Sequence, residues 1–351
     1  GFVSLNFFRE IFSLNIYPGF EHPTKDWREA AEQYGILFDL PMAFIEKELN
    51  IVDSKNYFLL RHFFNFFIFF ISSIFFYLLL KKRFSIKLSI IGLLFWILSP
   101  RIFAESFYNM KDIIFLSFFI ISLFFAINFI DKPSYKNAFL SSLTCALVID
   151  VKILGIITPF IILVFYILML MNSKNFFKIN ILKIITFFCL LILFTIIFWP
   201  YLWSDPLTNF LTTIKNFSSY SWTGGIFYFG NYVSARNLPW HYPIVWILIS
   251  TPIIYLLLFM LGSVLILLKI FNRFLNLSAK KRLNDLWKGN KERIDVIFFL
   301  IFYFTLFLVI EINSTLYGGW RHLYFIYPCL IFLSIRGLEF ISKTTPSKYL
   351  V

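Results

Sequence analysis

This sequence predicts an all-α, polytopic membrane protein, and three observations carry the prediction. Of its 351 residues, 59% are hydrophobic and only 15% charged, with a mean hydropathy of +0.78. A soluble domain carries about 25% charge. Its apolar residues gather into long stretches, and a bilayer core is crossed by about 20 residues of helix. Its Lys and Arg alternate between the segments that join those stretches. Intrinsic disorder, a disulfide scaffold and a soluble enzyme core are excluded on these grounds.

Nine stretches are apolar enough to be read as spans: Tyr57–Leu80, Leu88–Pro100, Ile113–Ile130, Ala138–Asp150, Ile153–Met171, Ile184–Trp203, Pro243–Ile270, Ile294–Ile312 and Leu323–Ile341. The second and fourth are short, as spans that pair in hairpins can be. The joining segments 81–87, 131–137, 172–183, 269–293 and 343–348 hold 19 of the 32 basic residues, whereas 101–112, 200–242 and 313–322 hold five. Basic residues concentrate in cytoplasmic loops, so the first set is predicted to be cytoplasmic. Residues 1–56 and the second set then face outward. The net charge of +13 is this asymmetry and calls for no nucleic-acid partner.

Three parts follow: a first outward region at 1–56, a transmembrane domain of about nine helices at 57–341 with an outward loop at 200–242, and a cytoplasmic tail at 342–351. The first part carries nine acids and a helix-like stretch at Asp26–Tyr34. The chain begins at Gly1 without a leader pattern and is read as incomplete at its N-terminus. Cys145, Cys189 and Cys329 lie in apolar stretches without metal-type spacing and read as packed thiols.

Polar residues at the outward ends of the spans are the candidate site. In Ser99-Pro-Arg101-Ile-Phe-Ala-Glu105-Ser-Phe-Tyr108-Asn-Met-Lys111-Asp112, a continuous helix would place Arg101, Glu105, Tyr108 and Asp112 on one face. Ionisable groups at membrane depth are functional candidates; a solvated loop with a weak Arg–Glu pair is the alternative. Tyr317-Gly-Gly-Trp-Arg321-His322 opens the last span, where glycines allow close backbone approach and Arg321 offers a planar fork for phosphate. Its alternative is a turn with a snorkelling Arg. Arg61-His62 and Trp240-His241-Tyr242-Pro243 sit at the same predicted face, where a lone His is more often a structural hydrogen-bonder. Asp150, Lys152, Glu311 and Glu339 stand near helix ends and read as pairing or snorkelling residues.

Four motifs in this order resemble the GT-C superfamily of polyprenyl-phosphate-sugar-dependent glycosyltransferases. The nearest group is the family-39-like branch of protein O-mannosyltransferases and lipid A aminoarabinose transferases. They are Leu60-Arg-His62, Ser99-Pro-Arg-Ile-Phe running to Lys111-Asp112, Pro239-Trp-His-Tyr-Pro243 with Thr251-Pro252, and Tyr317-Gly-Gly-Trp-Arg-His-Leu-Tyr-Phe-Ile-Tyr-Pro328. The resemblance implies a helix bundle whose outward loops bear short helices. It implies transfer of a sugar from a polyprenyl-phosphate carrier to a glycan, lipid or protein acceptor at the periplasmic or luminal face, with a bacterial inner membrane as the expected location. Asp112 matches the family's acidic position and is the expected catalytic residue with Glu105. Arg321, Arg101 and Arg61 are expected to bind the donor phosphate, supported by Tyr317, His322, His241 and His62.

Such enzymes carry an acidic pair in the first outward loop, and this chain has no Asp-Glu dipeptide. Either the pair lies upstream of Gly1, or Asp26, Glu29 or Asp39 substitutes. No cofactor is implied with certainty; Asp112 and Glu105 could contribute ligands to a divalent cation, although no dedicated metal-ligand set is present. A transporter or flippase of lipid-linked sugars would place its charges at the bilayer midplane, often with inverted repeats. An O-antigen ligase or polymerase would share the outward loops and arginines.

Overall fold

The computed structural model describes residues 35–172, 174–218, 224–275 and 287–344. The stretch Asp26–Tyr34 and most of the tail 342–351 lie outside them. Among the described residues, helices run in the order Asp39–Glu48 (α1), Ser54–Arg83 (α2), Ile86–Ile97 (α3), Pro100–Tyr108 (α4), Asp112–Asp131 (α5), Tyr135–Val151 (α6), Ile157–Asn172 (α7), Lys174–Phe198 (α8) and Pro206–Ser218 (α9). They continue with Tyr242–Ser250 (α10), Ile253–Leu275 (α11), Gly289–Glu311 (α12) and Tyr327–Thr344 (α13). The chain is an all-α polytopic membrane bundle with little strand.

Among the described residues, six segments are long and apolar enough to cross a membrane: α2, α5, Ile179–Phe198 of α8, α11, α12, and Arg321–Thr344, which joins a 3-10 turn to α13. A seventh forms if α3 and α4 count together, although they bend by 61°. Proline explains two departures from unbroken spans. Pro100 opens α4 where its missing N–H is harmless, and it cannot extend α3. Pro252 divides the predicted seventh span into α10 and α11, holding Thr251 extended at φ −110°, ψ 135°. At 17 and 16 residues, α6 and α7 fall short of a straight crossing.

The described residues form two compact units. One takes the described parts of 1–70, 105–160 and 182–219; the other takes those of 71–104, 161–181 and 220–351. The first is organised by an antiparallel hairpin of α5 and α6. Ser134 caps α6, its Oγ accepting from Asn137 N at 3.1 Å, while Asn137 Nδ2 donates to the Lys132 carbonyl at 2.7 Å. Small buried residues on α6 (Ala138, Ser141, Ser142, Cys145, Ala146) let α5 approach closely. Small residues play this part wherever lipid leaves helices no hydrophobic drive to associate.

The second unit is built around α13, whose first nine residues, Tyr327–Ile335, are all buried, with α3, α11 and α12 packed against the helix. Its crossing with α11 is backbone against backbone. A Cβ on Gly262 would overlap the Leu333 carbonyl, and one on Gly337 the Leu258 carbonyl. At one end, buried Arg83 grips Asp295 through Nε at 2.6 Å and Nη2 at 3.0 Å, and Glu339 through Nη2 at 3.1 Å. Arg83 belongs to a segment the sequence assigns to a solvated loop, yet it ties α2, α12 and α13 together.

The one two-stranded sheet among the described residues is an antiparallel hairpin, Gly225–Tyr228 (β1) and Asn231–Ser234 (β2). It turns through Phe229 and Gly230 at φ +48° and +81°. The sequence reading of 200–242 as an outward loop did not include it.

Candidate active site

In the first unit, the hairpin brings the start of α5 and the end of α6 to one end. There the buried Asp112 carboxylate pairs through Oδ1 with the buried Lys152 ammonium, which lies 5.6 Å from the Phe115 ring centroid. Lys152 sits in an extended residue between α6 and the 3-10 turn Ile153–Ile156. Asn109 holds the other carboxylate oxygen. Its Nδ2 donates to Asp112 Oδ2 at 3.1 Å and to Glu105 Oε2 at 2.8 Å, and its Oδ1 accepts from the Asp112 backbone N at 3.0 Å. Two carboxylates therefore share one amide donor, and one of them faces a lysine.

Glu105 is placed by the last turn of α4. Asn65 Nδ2 donates to the Ser106 carbonyl at 2.8 Å, and Phe66 stacks on Phe107 with centroids 4.8 Å apart. The continuous helix expected from Arg101 to Asp112 is not formed. It stops at Tyr108, Asn109–Lys111 turn, and Asp112 opens a new helix. Tyr108 is consequently exposed while Glu105 and Asp112 are buried.

Arg61, expected at the donor phosphate, is taken up elsewhere. It is 2% exposed; its Nε and Nη2 donate to Glu46 at 2.6 and 3.2 Å, its Nη1 donates to Asp39 at 2.8 Å, and Tyr57 lies over its Cζ at 4.5 Å. Burial pushes the Glu46 carboxyl above the ordinary glutamate range, opposed by the Arg61 guanidinium. His62, its neighbour, packs its ring against Phe58 at 6.1 Å. Asp150 anchors the chain before α1: its backbone carbonyl and Oδ2 accept from Gly35 N at 3.0 Å and Leu37 N at 2.9 Å.

In the second unit, Arg101 Nε donates to Tyr324 Oη at 2.6 Å, and its Nη2 stands 3.5 Å from the Gly318 carbonyl. Gly318 and Gly319 both take left-handed φ, +68° and +76°, which explains the double glycine. The turn they make sets Arg321 Cζ 4.5 Å from the Tyr317 centroid, while Tyr317 and His322 meet edge to face at 4.5 Å. Trp320 is buried, its Nε1 donating to Ser250 Oγ at 2.7 Å. His241 Nδ1 shares a 2.7 Å hydrogen bond with Tyr228 Oη of β1.

Sequence reasoning passed over Asn109 and set Lys152 aside as a pairing residue. A signal existed for each. Asn109-x-x-Asp112 has the spacing of a helix N-terminal cap, and Asp112 and Lys152 lie about equally far either side of the 132–134 turn. No cluster of three or more His, Cys, Asp or Glu suited to a metal occurs among the described residues. Glu105 and Asp112 face an amide N–H2 and an ammonium, donors that take the place a cation would fill, so the arrangement does not fit a metal-ligand set.

Residues 30–204, about half of the chain, match the family model described as dolichyl-phosphate-mannose-protein mannosyltransferase. No curated protein and no solved structure matches. The matched stretch contains Glu105, Asn109, Asp112 and Lys152.

Proposed function

Over residues 30–204 the chain belongs to the dolichyl-phosphate-mannose-protein mannosyltransferase family of membrane glycosyltransferases, and we propose that it moves a sugar from a polyprenyl-phosphate donor to a protein acceptor, with Asp112 as general base. The buried Glu105–Asn109–Asp112–Lys152 cluster carries this reading. An acceptor hydroxyl attacking the anomeric carbon must lose its proton as the bond to the lipid phosphate breaks. A positioned carboxylate takes that proton. Lys152 holds one Asp112 oxygen and Asn109 the other, so the base is kept in one rotamer. Glu105, on the same amide, is the second carboxylate of the cluster.

The departing phosphate needs planar donors that strengthen as its charge develops. Arg321 and Arg101 have that chemistry. Arg61 has it too, but all three of its nitrogens are committed to Glu46 and Asp39, so its role is to fasten α1 to α2. The outward loops are assigned to the periplasmic or luminal face by the distribution of Lys and Arg.

The test is transfer of radiolabelled sugar from polyprenyl-phosphate donors in membranes containing the protein, with polyprenyl phosphate measured as the other product. Equal release of both supports the reading. Movement of intact lipid-linked sugar across the bilayer without transfer would overturn it in favour of a transporter.

A further inference from the structure

In the second unit, α11, α12 and α13 enclose a shallow cleft whose polar lining is Lys269, Arg273, Glu292, Asp295 and Arg336. Its carboxylates are already compensated. Glu292 lies 2.8 Å from Lys269 Nζ and 2.6 Å from Arg273 Nη1, and Asp295 is held by Arg83. Glu339, beside them, is shared by Arg83, Arg336 and Lys343. Five cations (Arg83, Lys269, Arg273, Arg336, Lys343) thus meet three carboxylates, a net positive cluster.

Arg336 Nε is buried without a hydrogen-bond partner. It stands 3.8 Å from Asp295 Oδ2, too far for a hydrogen bond, and an unmade guanidinium hydrogen bond inside protein is unfavourable. A phosphate is the group whose oxygens suit that planar donor. Its source follows from α11. Lys269 and Arg273 are one turn apart, and Leu268 and Phe271 on the same turns are more than half exposed. The exposed apolar row runs on through Val264, Met260 and Leu257, the helical spacing of a lipid-facing stripe. Cations at the end of such a stripe take a lipid phosphate while the acyl chain follows the helix.

We propose that this cleft binds the phosphate of an anionic phospholipid headgroup. The experiment is native mass spectrometry of the full chain in micelles doped with phosphatidylglycerol or phosphatidylcholine, alongside thermal unfolding with each lipid or with inorganic phosphate. The wild-type chain should retain phosphatidylglycerol over phosphatidylcholine. Lys269→Gln and Arg336→Gln should each lower that retention about fivefold. Lys269 is half exposed, so its variant keeps the test alive if Arg336→Gln fails to fold. Equal retention of both lipids, or unchanged retention in Lys269→Gln, would overturn the proposal. So would inorganic phosphate raising the unfolding temperature as much as phosphatidylglycerol does, which would assign the cleft to a free anion.

Discussion

Two buried charge clusters in this molecule use the same chemistry to opposite ends. Around Arg83, three cations (Arg83, Arg336, Lys343) surround two carboxylates (Asp295, Glu339), with bidentate grips on both acids. Around Asp112, two carboxylates meet one lysine, and a neutral amide bridges them. The first cluster has cation to spare and leaves its acids no role but holding helices together. The second sets two carboxylates side by side on one amide, one of them ion-paired with a lysine, an expensive arrangement at membrane depth and one suited to taking a proton.

The contrast can be broken at either end. Arg83→Met should have the largest effect on stability. Two buried carboxylates would lose their shared partner, a loss of about 3–5 kcal/mol, read by thermal unfolding in detergent, with turnover per folded molecule unchanged. Lys152→Met should act on the chemistry instead, lowering kcat on the order of tenfold to a hundredfold by freeing the Asp112 carboxylate to rotate. An equal loss of stability in the two variants would erase the distinction. Arg321→Ala should raise the KM for the lipid donor about tenfold, the worth of a charge-assisted hydrogen bond, with a smaller change in kcat; unchanged donor kinetics would remove Arg321 from the phosphate role. Asn109→Ala should be mildest, on the order of fivefold in kcat, since a cap and one bridging amide are lost together. A fall as deep as that of Lys152→Met would show that the amide, and not the lysine, holds the base.

The apolar helices were legible because a bilayer demands long uninterrupted runs, and composition alone reveals those. Where the chain departs from that demand, prolines mark the place: Pro100 and Pro252 both sit where a predicted span bends or divides. The β1–β2 hairpin was not legible. Its turn is Phe229-Gly230 where Asn-Gly or Asp-Gly would have signalled it, and Phe229 adopts a left-handed φ that its side chain does not favour. In the candidate site, Asp112 and Glu105 stood out as acids beside apolar runs. Their partner Lys152 did not, because the pairing is tertiary and depends on the α5–α6 hairpin closing in register. The partners of Arg61 were illegible for the same reason. Nothing near it in sequence announces that Glu46 and Asp39 will claim its three nitrogens.

Asp112 is proposed to perform chemistry and Asp295 to hold structure, and isosteric Asp→Asn changes at the two positions separate these roles. Initial rates of sugar transfer, normalised to correctly folded protein, should fall by about a hundredfold or more in Asp112→Asn, the scale of losing a general base. Asp295→Asn should unfold at lower temperature and transfer sugar at the wild-type rate per folded molecule. Wild-type turnover in Asp112→Asn, or an equal loss of turnover in both variants, would contradict the account.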